Sequence, residues 1–254
     1  MTPSEKISAA IRDAASGTAI VAFVTAGYPK REEFRAQLTR IGNAADVVEI
    51  GVPFTDPMAD GMTIQRSSRE ALRQGVSLRW LFDELATMER PKAPLVLMSY
   101  LNPLLAFGFE KLASAAVKSG VSGFIIPDLP YDEGEDLRAA LAPHGLALIQ
   151  MVTPVTRPER LAKLCAASQG FVYAVTMTGT TGRSASVPGE VTRYLDGVTA
   201  LSKLPVCAGF GIRGREQVEQ LKGHVAGVIV GSALVEVLES GQDAAAFLQA
   251  LRPT

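Results

Sequence analysis

Glu49 and Asp60 stand in the run from Val48 to Gly61, and their setting suits them to acid–base chemistry. Glu49 ends an apolar run, Asp46 to Gly51, that reads as a buried parallel strand. An unpaired buried carboxylate is costly, so an acid at the end of such a strand implies something there that needs it. Asp60 closes a loop stiffened by Pro53 and Pro57, just before a helix. One acid fixed on a strand and a second on a rigid neighbouring loop make a general acid/base pair. Helix N-capping by Asp60, with Thr63 and Gln65 in the first turn, is compatible with that role.

The elements that position these acids show in the period of the apolar residues. Strand-like runs begin at Ala19, Asp46, Leu95, Gly123, Leu146, Phe171, Pro205 and Gly227. Segments with helical spacing separate most of them, such as Phe34 to Ile41, Leu112 to Val117, Leu137 to Leu141 and Leu161 to Cys165. Thr156 to Glu159 reads as a capping box for the last of these. Runs apolar on both faces, alternating with helices, predict a parallel sheet covered on its outside. Eight such units in 254 residues predict an α/β fold, a (β/α)8 TIM barrel forming one domain over residues 1–254. An open doubly wound sheet is the alternative. An extra N-terminal helix is predicted from the capping box Thr2-Pro3-Ser4-Glu5, with Ile7, Ala10, Ile11 and Ala14 on one face.

Chemistry in a barrel belongs to the loops after the strands. Glu49, Tyr100, Asn102, Asp128, Tyr173, Thr178 and Ser232 fall at or just past predicted strand ends. His144 and His224 fall in helix-to-strand turns on the opposite face, and no lysine falls within a strand. A Schiff-base lysine or an imidazole-bound metal is therefore not expected, and neither Cys165 nor Cys207 has zinc-site spacing. Asp128 reads as a helix-capping acid.

Composition narrows the class further. With 47% hydrophobic and 20% charged residues, the chain has ample core and is not disordered. A net charge of −1 gives no electrostatic reason to bind nucleic acid or anionic lipid. Two cysteines make no disulfide framework, and no stretch reaches the ~18 apolar residues of a membrane span. The expected location is cytoplasmic.

Glycine-bearing turns follow the last three predicted strands: Thr178 to Gly182, Ala208 to Gly211, and Val230 to Ser232. Turns after strands seven and eight, with a helix N-terminus, recur as the phosphate site of such barrels. Gly182, Gly211, Gly231 and Ser232 are the candidates, with backbone N–H groups as the donors and Arg213 nearby. Tight turns use glycine whatever they bind, so each turn alone is also explained by structure.

The segment Val48 to Gly61 resembles the signature of the tryptophan synthase alpha chain family. Phe23 to Pro29 is similar to that family's first strand and turn, and Met98 to Pro103 to its third. Pro127 to Pro130 fits after strand four, Thr178 to Gly182 after strand six, and Gly209 to Ile212 and Gly231 to Ala233 fit the phosphate turns. Met62 departs from the family, many members having proline there. The resemblance implies retro-aldol cleavage of indole-3-glycerol phosphate, with Glu49 and Asp60 as catalytic residues. It implies an indole pocket and loop from Phe23, Ile64, Tyr100, Ile125, Tyr173, Thr181 and Phe210, with Thr181 closing over the site to orient Asp60. Taken singly, the apolar and aromatic members of this set are equally explained as core. It further implies no cofactor and no metal in this chain. A tryptophan synthase beta chain carrying pyridoxal phosphate is the implied partner, in an alpha2-beta2 heterotetramer, met by Pro53, Asp56, Asn102 and Pro130.

Three other readings compete: a stand-alone lyase releasing free indole, a non-catalytic binder of phosphorylated metabolites, and a sugar-phosphate isomerase. The acid pair disfavours the binder. The absence of histidine, lysine or a metal set at the predicted mouth disfavours the isomerase.

Overall fold

The computed structural model describes residues 1–176, 187–209 and 211–253. Eight parallel strands close into a barrel in chain order, each paired with its sequence neighbours and β1 with β8. They are β1 (Ala19–Thr25), β2 (Val47–Gly51), β3 (Leu95–Met98), β4 (Val121–Ile125), β5 (Ala147–Val152), β6 (Val172–Val175), β7 (Val206–Gly209) and β8 (Gly227–Val230). The closed ring excludes the open sheet. Each strand begins within two residues of its predicted start.

Two residues of strand period divide the core. Val48, Ile50, Leu97, Phe124 and Val228 face outward and pack with the helices, whereas Val47, Val96, Ile125, Ile149 and Ile229 fill the barrel. The covering helices are α2 (Phe34–Ala44), α3 (Met62–Arg73), α4 (Leu78–Thr87), α5 (Leu101–Phe107), α6 (Phe109–Ser119), α7 (Glu135–Leu141), α8 (Pro158–Ala167), α9 (Gly189–Leu201), α10 (Arg215–Leu221), α11 (Ser232–Glu239) and α12 (Ala244–Leu251).

The N-terminal helix α1 (Pro3–Arg12) begins at the predicted capping box: Thr2 accepts from the Glu5 N–H, and the Glu5 carboxylate accepts from the Thr2 N–H. It closes the end of the barrel opposite the loops that follow the strands. Ile7 and Ile11 are buried there with Ala19, Val21, Val47 and Phe171. Of the predicted apolar face, Ala10 is half-buried and Ala14 lies past the helix end.

At the same end Arg252 bridges both oxygens of Asp46 and the Ala44 carbonyl, while Asp46 also accepts the Ile20 N–H at 2.7 Å. The last helix is thereby tied to the β1–β2 edge. Cys165 and Cys207 are buried free thiols. Among the described residues, no helix is long and apolar enough to cross a membrane.

The second predicted capping box is absent. Helix α8 has Arg157 at its N-cap with no side-chain cap, and Pro158 opens it. The Thr156 hydroxyl instead accepts the Thr153 N–H at 3.0 Å, closing the turn ahead of the helix. A proline with its φ preset for the first helical turn makes the cap dispensable.

Ile7 is the packing centre of the closed end, so Ile7→Ala should cost about 3 kcal/mol of unfolding free energy, the usual range for a buried isoleucine. Urea denaturation measures it. A loss under about 1 kcal/mol would mean that α1 is not integral to the core.

Candidate active site

Glu49 is the middle residue of β2, not its last, and the strand alternation turns it into the barrel with Val47 and Gly51. Its neighbours in register are Phe23 on β1 and Val96 on β3. The side chain is 1% exposed, and its Oε2 has no hydrogen-bond partner among the described residues. Burial, first, and the charge of Asp60, second, push its pKa up to about 8.

Asp60 reaches the same region from the β2–α3 loop. Burial raises its pKa to about 6, and a hydrogen bond from Tyr100 works against the rise. The two shifts fit one order of ionisation. Asp60 loses its proton first, beside a neutral Glu49, and Glu49 must then ionise against an existing negative charge. Between about pH 6 and 8 the favoured state is one protonated glutamate and one ionised aspartate.

Asp60 does not cap α3. Gly61 is the N-cap and makes no side-chain cap bond, while Gln65 donates its Nε2–H to the Asp60 carbonyl at 2.8 Å. The carboxylate is left for Tyr100. That ring stacks on Phe54 at a centroid distance of 5.2 Å, and its hydroxyl also accepts the Ala59 N–H at 2.9 Å. The loop is anchored from behind by Ser68, whose hydroxyl accepts from the Phe54 N–H and donates to the Phe54 carbonyl. Thr25 and Ser67 share a buried hydroxyl bond of 2.6 Å beneath it. Sequence patterns did not single out Thr25, Ser67 or Ser68. Their only signal is a polar residue where a strand or helix presents its buried face.

A cleft of about 340 Å³, counting the part open to solvent, lies at the mouth. Phe23, Ile64, Tyr100 and Asp60 line it as expected, joined by Thr25, Met98 and Pro127. Glu49 lies outside this lining: Phe23, its register neighbour, and Gly51, two residues on, form the wall above it. Ile125 and Tyr173 are likewise within the barrel-interior cluster and do not line the cleft. Tyr173 is the second residue of β6, inside the strand and not past its end.

Two glycines make room for these rings. A Cβ at Gly51 would stand 2.5 Å from the Phe23 ring, and one at Gly209 would stand 2.5 Å from the Tyr173 hydroxyl. Burial first, and the charge of Glu49 once it ionises second, push the Tyr173 hydroxyl and the Cys207 thiol up.

Of the phosphate candidates, Gly231 is the N-cap of α11 and Ser232 its first residue, and Gly231 has no side chain to cap that end. Gly211 has φ +87°, a conformation that favours glycine, and its carbonyl accepts from Gln217. Because Gly209 pairs with Ile229, Gly211 and Gly231 each follow a paired position by two residues on adjacent strands. Arg213 is committed to Glu236 in an ion pair. Thr181, Gly182 and Phe210 lie outside the described residues.

Asp56, Asn102 and Pro130 are exposed around the mouth, whereas Pro53 is buried beneath its own loop. Asp128 caps another segment's helix: its Oδ1 accepts the N–H of Leu101, first residue of α5, at 2.9 Å. His144 and His224 lie at the far end, the latter bonded to Asp196. No group of three or more metal-ligating side chains occurs among the described residues.

The model of the family described as tryptophan synthase alpha chain matches residues 10–252. A tryptophan synthase alpha chain of Nitratidesulfovibrio vulgaris is 45% identical over 239 residues, 93% of each chain. One from Bacillus mycoides is 42% identical over 238 residues, 93% of this chain and 92% of the relative. Among solved structures, a tryptophan synthase chain of Mycobacterium tuberculosis superposes with a TM-score of 0.90 at 34% identity, covering 100% of both chains. The alpha subunit from Legionella pneumophila gives 0.87 at 30% identity, covering 99% of this chain and 97% of that one. Similarity of this depth over nearly the whole length places the chain in the tryptophan synthase alpha chain family.

Proposed function

We propose that Glu49 and Asp60 carry out the reaction of this family, the carbon–carbon lyase step that splits indole-3-glycerol phosphate into indole and glyceraldehyde 3-phosphate in tryptophan biosynthesis. The observation that carries the assignment of roles is the buried Glu49 carboxyl, pushed up to about 8, beside an Asp60 that ionises at about 6. An aromatic carbon cannot leave as a bare carbanion, so indole C3 has to be protonated before the bond breaks. Glu49, holding its proton at neutral pH, gives it to C3. As carboxylate it then takes the proton of the C3′ hydroxyl while the C3–C3′ bond breaks, forming the aldehyde and restoring the aromatic ring. The glutamate ends as it began. Ionised Asp60 accepts the indole N–H and stabilises the positive charge on the ring while it exists.

Phe23, Ile64 and Tyr100 supply the walls of the indole pocket, with Ile125 and Tyr173 packed in the layer beneath them. The cleft takes the bicyclic ring against the wall that Phe23 and Gly51 form over Glu49. Thr181 and Phe210 complete the loop and pocket. The phosphate is held by backbone N–H groups at Gly182, Gly211 and Gly231 and at the start of α11, Ser232. The commitment of Arg213 to Glu236 supports a backbone site over a guanidinium one.

On this reading residues 1–254 act as one cytoplasmic barrel domain that needs no cofactor of its own. Pyridoxal phosphate belongs to the tryptophan synthase beta chain, which receives the indole in an alpha2-beta2 assembly. Asp56, Asn102 and Pro130 face that partner from the rim, and buried Pro53 holds the rim loop in shape.

Acid–base steps of this kind contribute roughly 10²–10⁴-fold each. Glu49→Gln and Asp60→Asn should each lower indole release from indole-3-glycerol phosphate by at least about 100-fold while glycerol 3-phosphate binding is kept; residual turnover above a tenth of the parent's contradicts the roles.

The proton distribution also fixes the pH profile. The plot of kcat/KM should rise to about pH 6 as Asp60 ionises and fall beyond about pH 8 as Glu49 does. A profile flat from pH 5 to 9 would exclude this pair.

Stability gives a readout independent of turnover. A carboxyl raised from 4.5 to about 8 keeps its proton longer when folded, so its contribution is full below pH 4.5 and is lost as pH climbs to about 8. Glu49→Gln removes that dependence. Between about pH 5 and pH 8.5 the variant should gain on the order of 2–4 kcal/mol relative to the parent in denaturant titrations. An unchanged difference across that range would place Glu49 in water.

A further inference from the structure

A second cavity, of about 770 Å³ counting the part open to solvent, lies on the outer side of the barrel between the β4–α7 loop, β5 and α8. It is far roomier than the cleft, and none of the reaction chemistry uses it. Its inner wall is apolar, built from Ile126, Leu129, Leu148 and Leu164. Only Pro130 is shared with the rim assigned above to a partner chain.

Two polar groups break that apolar wall. The first is Gln150. The outward face of β5 carries Leu148, Gln150 and Val152, and its two apolar members are buried in the layer between sheet and helices. Gln150 is 8% exposed, lines the cavity and has no side-chain hydrogen bond among the described residues. Its carboxamide is not sealed from solvent and opens on the cavity, where its N–H groups and carbonyl can meet a ligand, whereas leucine would only fill space.

The second is Arg138. Its guanidinium carbon stands 4.4 Å from the Tyr131 ring centroid, and one nitrogen donates to the Tyr131 carbonyl at 2.6 Å. It makes no salt bridge among the described residues. The other charged side chains lining the cavity, Arg160 and Asp128, each have a partner, Asp128 keeping its negative charge. Arg160 and Lys163 both bind Asp132, and Asp128 accepts the Leu101 N–H.

We infer that this cavity is a second ligand site, taking a small organic acid whose flat apolar body lies against the leucine wall and whose carboxylate meets Arg138 and the Gln150 amide. A carboxylate matches the planar guanidinium fork and accepts from the carboxamide N–H groups, satisfying both at once. The assignment stands apart from the reaction proposed for the cleft and survives or fails without it.

The test is an NMR titration of the full chain with 3-phenylpropionate, using uncharged 3-phenylpropan-1-ol as the comparison. The Gln150 side-chain amide and Arg138 Nε–H signals should shift with the acid, which should bind at least about tenfold more tightly than the alcohol. Arg138→Gln and Gln150→Leu should each weaken the acid about tenfold with the fold intact by circular dichroism. If Arg138→Gln fails to fold, Gln150→Leu alone decides. Equal affinity for acid and alcohol, shifts confined to Phe23, Ile64 and Tyr100, or no binding up to about 10 mM would each overturn the site.

Discussion

The desolvation of one carboxyl group governs the rest of the architecture. Glu49 lies on a strand whose inward positions are otherwise Val47 and Gly51, facing a barrel filled by valine, isoleucine and aromatic side chains. In that setting a carboxylate loses its hydration and gains no compensating donor among the described residues, so the proton stays until well above the usual carboxylate range. Everything that keeps water from Glu49 sustains this state. Helix α1 closes the far end of the barrel, while the Phe23 ring over Gly51 and the Tyr173 ring against Gly209 fill the space around and above the acid. The two glycines matter because each ring occupies the place where a Cβ would be.

The mouth has the opposite task, which is to hold polar groups in fixed positions without burying them completely. Its loops do this in part by bonding to one another. Tyr100, from the loop after β3, holds Ala59 and Asp60 of the loop after β2, and Asp128, from the loop after β4, caps the helix that Tyr100 precedes. On the other side Thr63 of α3 and Arg213 share Glu236 of α11, and Arg66 of α3 pairs with Glu239. Each of these exposed ion pairs contributes little alone. Together they fix the start of α11 relative to the Asp60 loop, which keeps the proposed phosphate donors at a set distance from the proposed acids.

Much of this was legible in the sequence because it depends on local period. The eight strands, the far-end placement of both histidines and the Thr2 capping box all follow from spacing within ten or so residues. What escaped depends on partners distant in the chain. Thr156 has the spacing of a cap, yet its hydroxyl goes to Thr153, since Pro158 already starts the helix. Asp60 has the position of a cap, yet Gly61 takes that place and the carboxylate turns to a tyrosine forty residues on. The hydroxyls of Thr25 and Ser67 meet across 42 positions, and no pattern within either segment announces the other. Tyr173, read as lying at or just past a strand end, belongs to the interior because β6 begins with Val172 and runs through it.

The separation between the two acids is set by a compromise between opposing electrostatic demands. If Glu49 stood in the cleft with Asp60, water would reach it and return it to the ordinary range near 4.5, leaving no proton to give at neutral pH. If Asp60 were buried as deeply as Glu49, its own ionisation would be suppressed and the ring cation would find no charge to meet. The structure places the glutamate beneath the cleft wall and the aspartate within the lining, with a tyrosine hydroxyl favouring the aspartate's charged form. The charge that helps hold Glu49 protonated is therefore the same charge available to the substrate ring, and both effects are lost together if Asp60 becomes neutral. A barrel interior dry enough to protonate one acid and a loop wet enough to ionise the other are thus two halves of a single device, joined at the rim of β2.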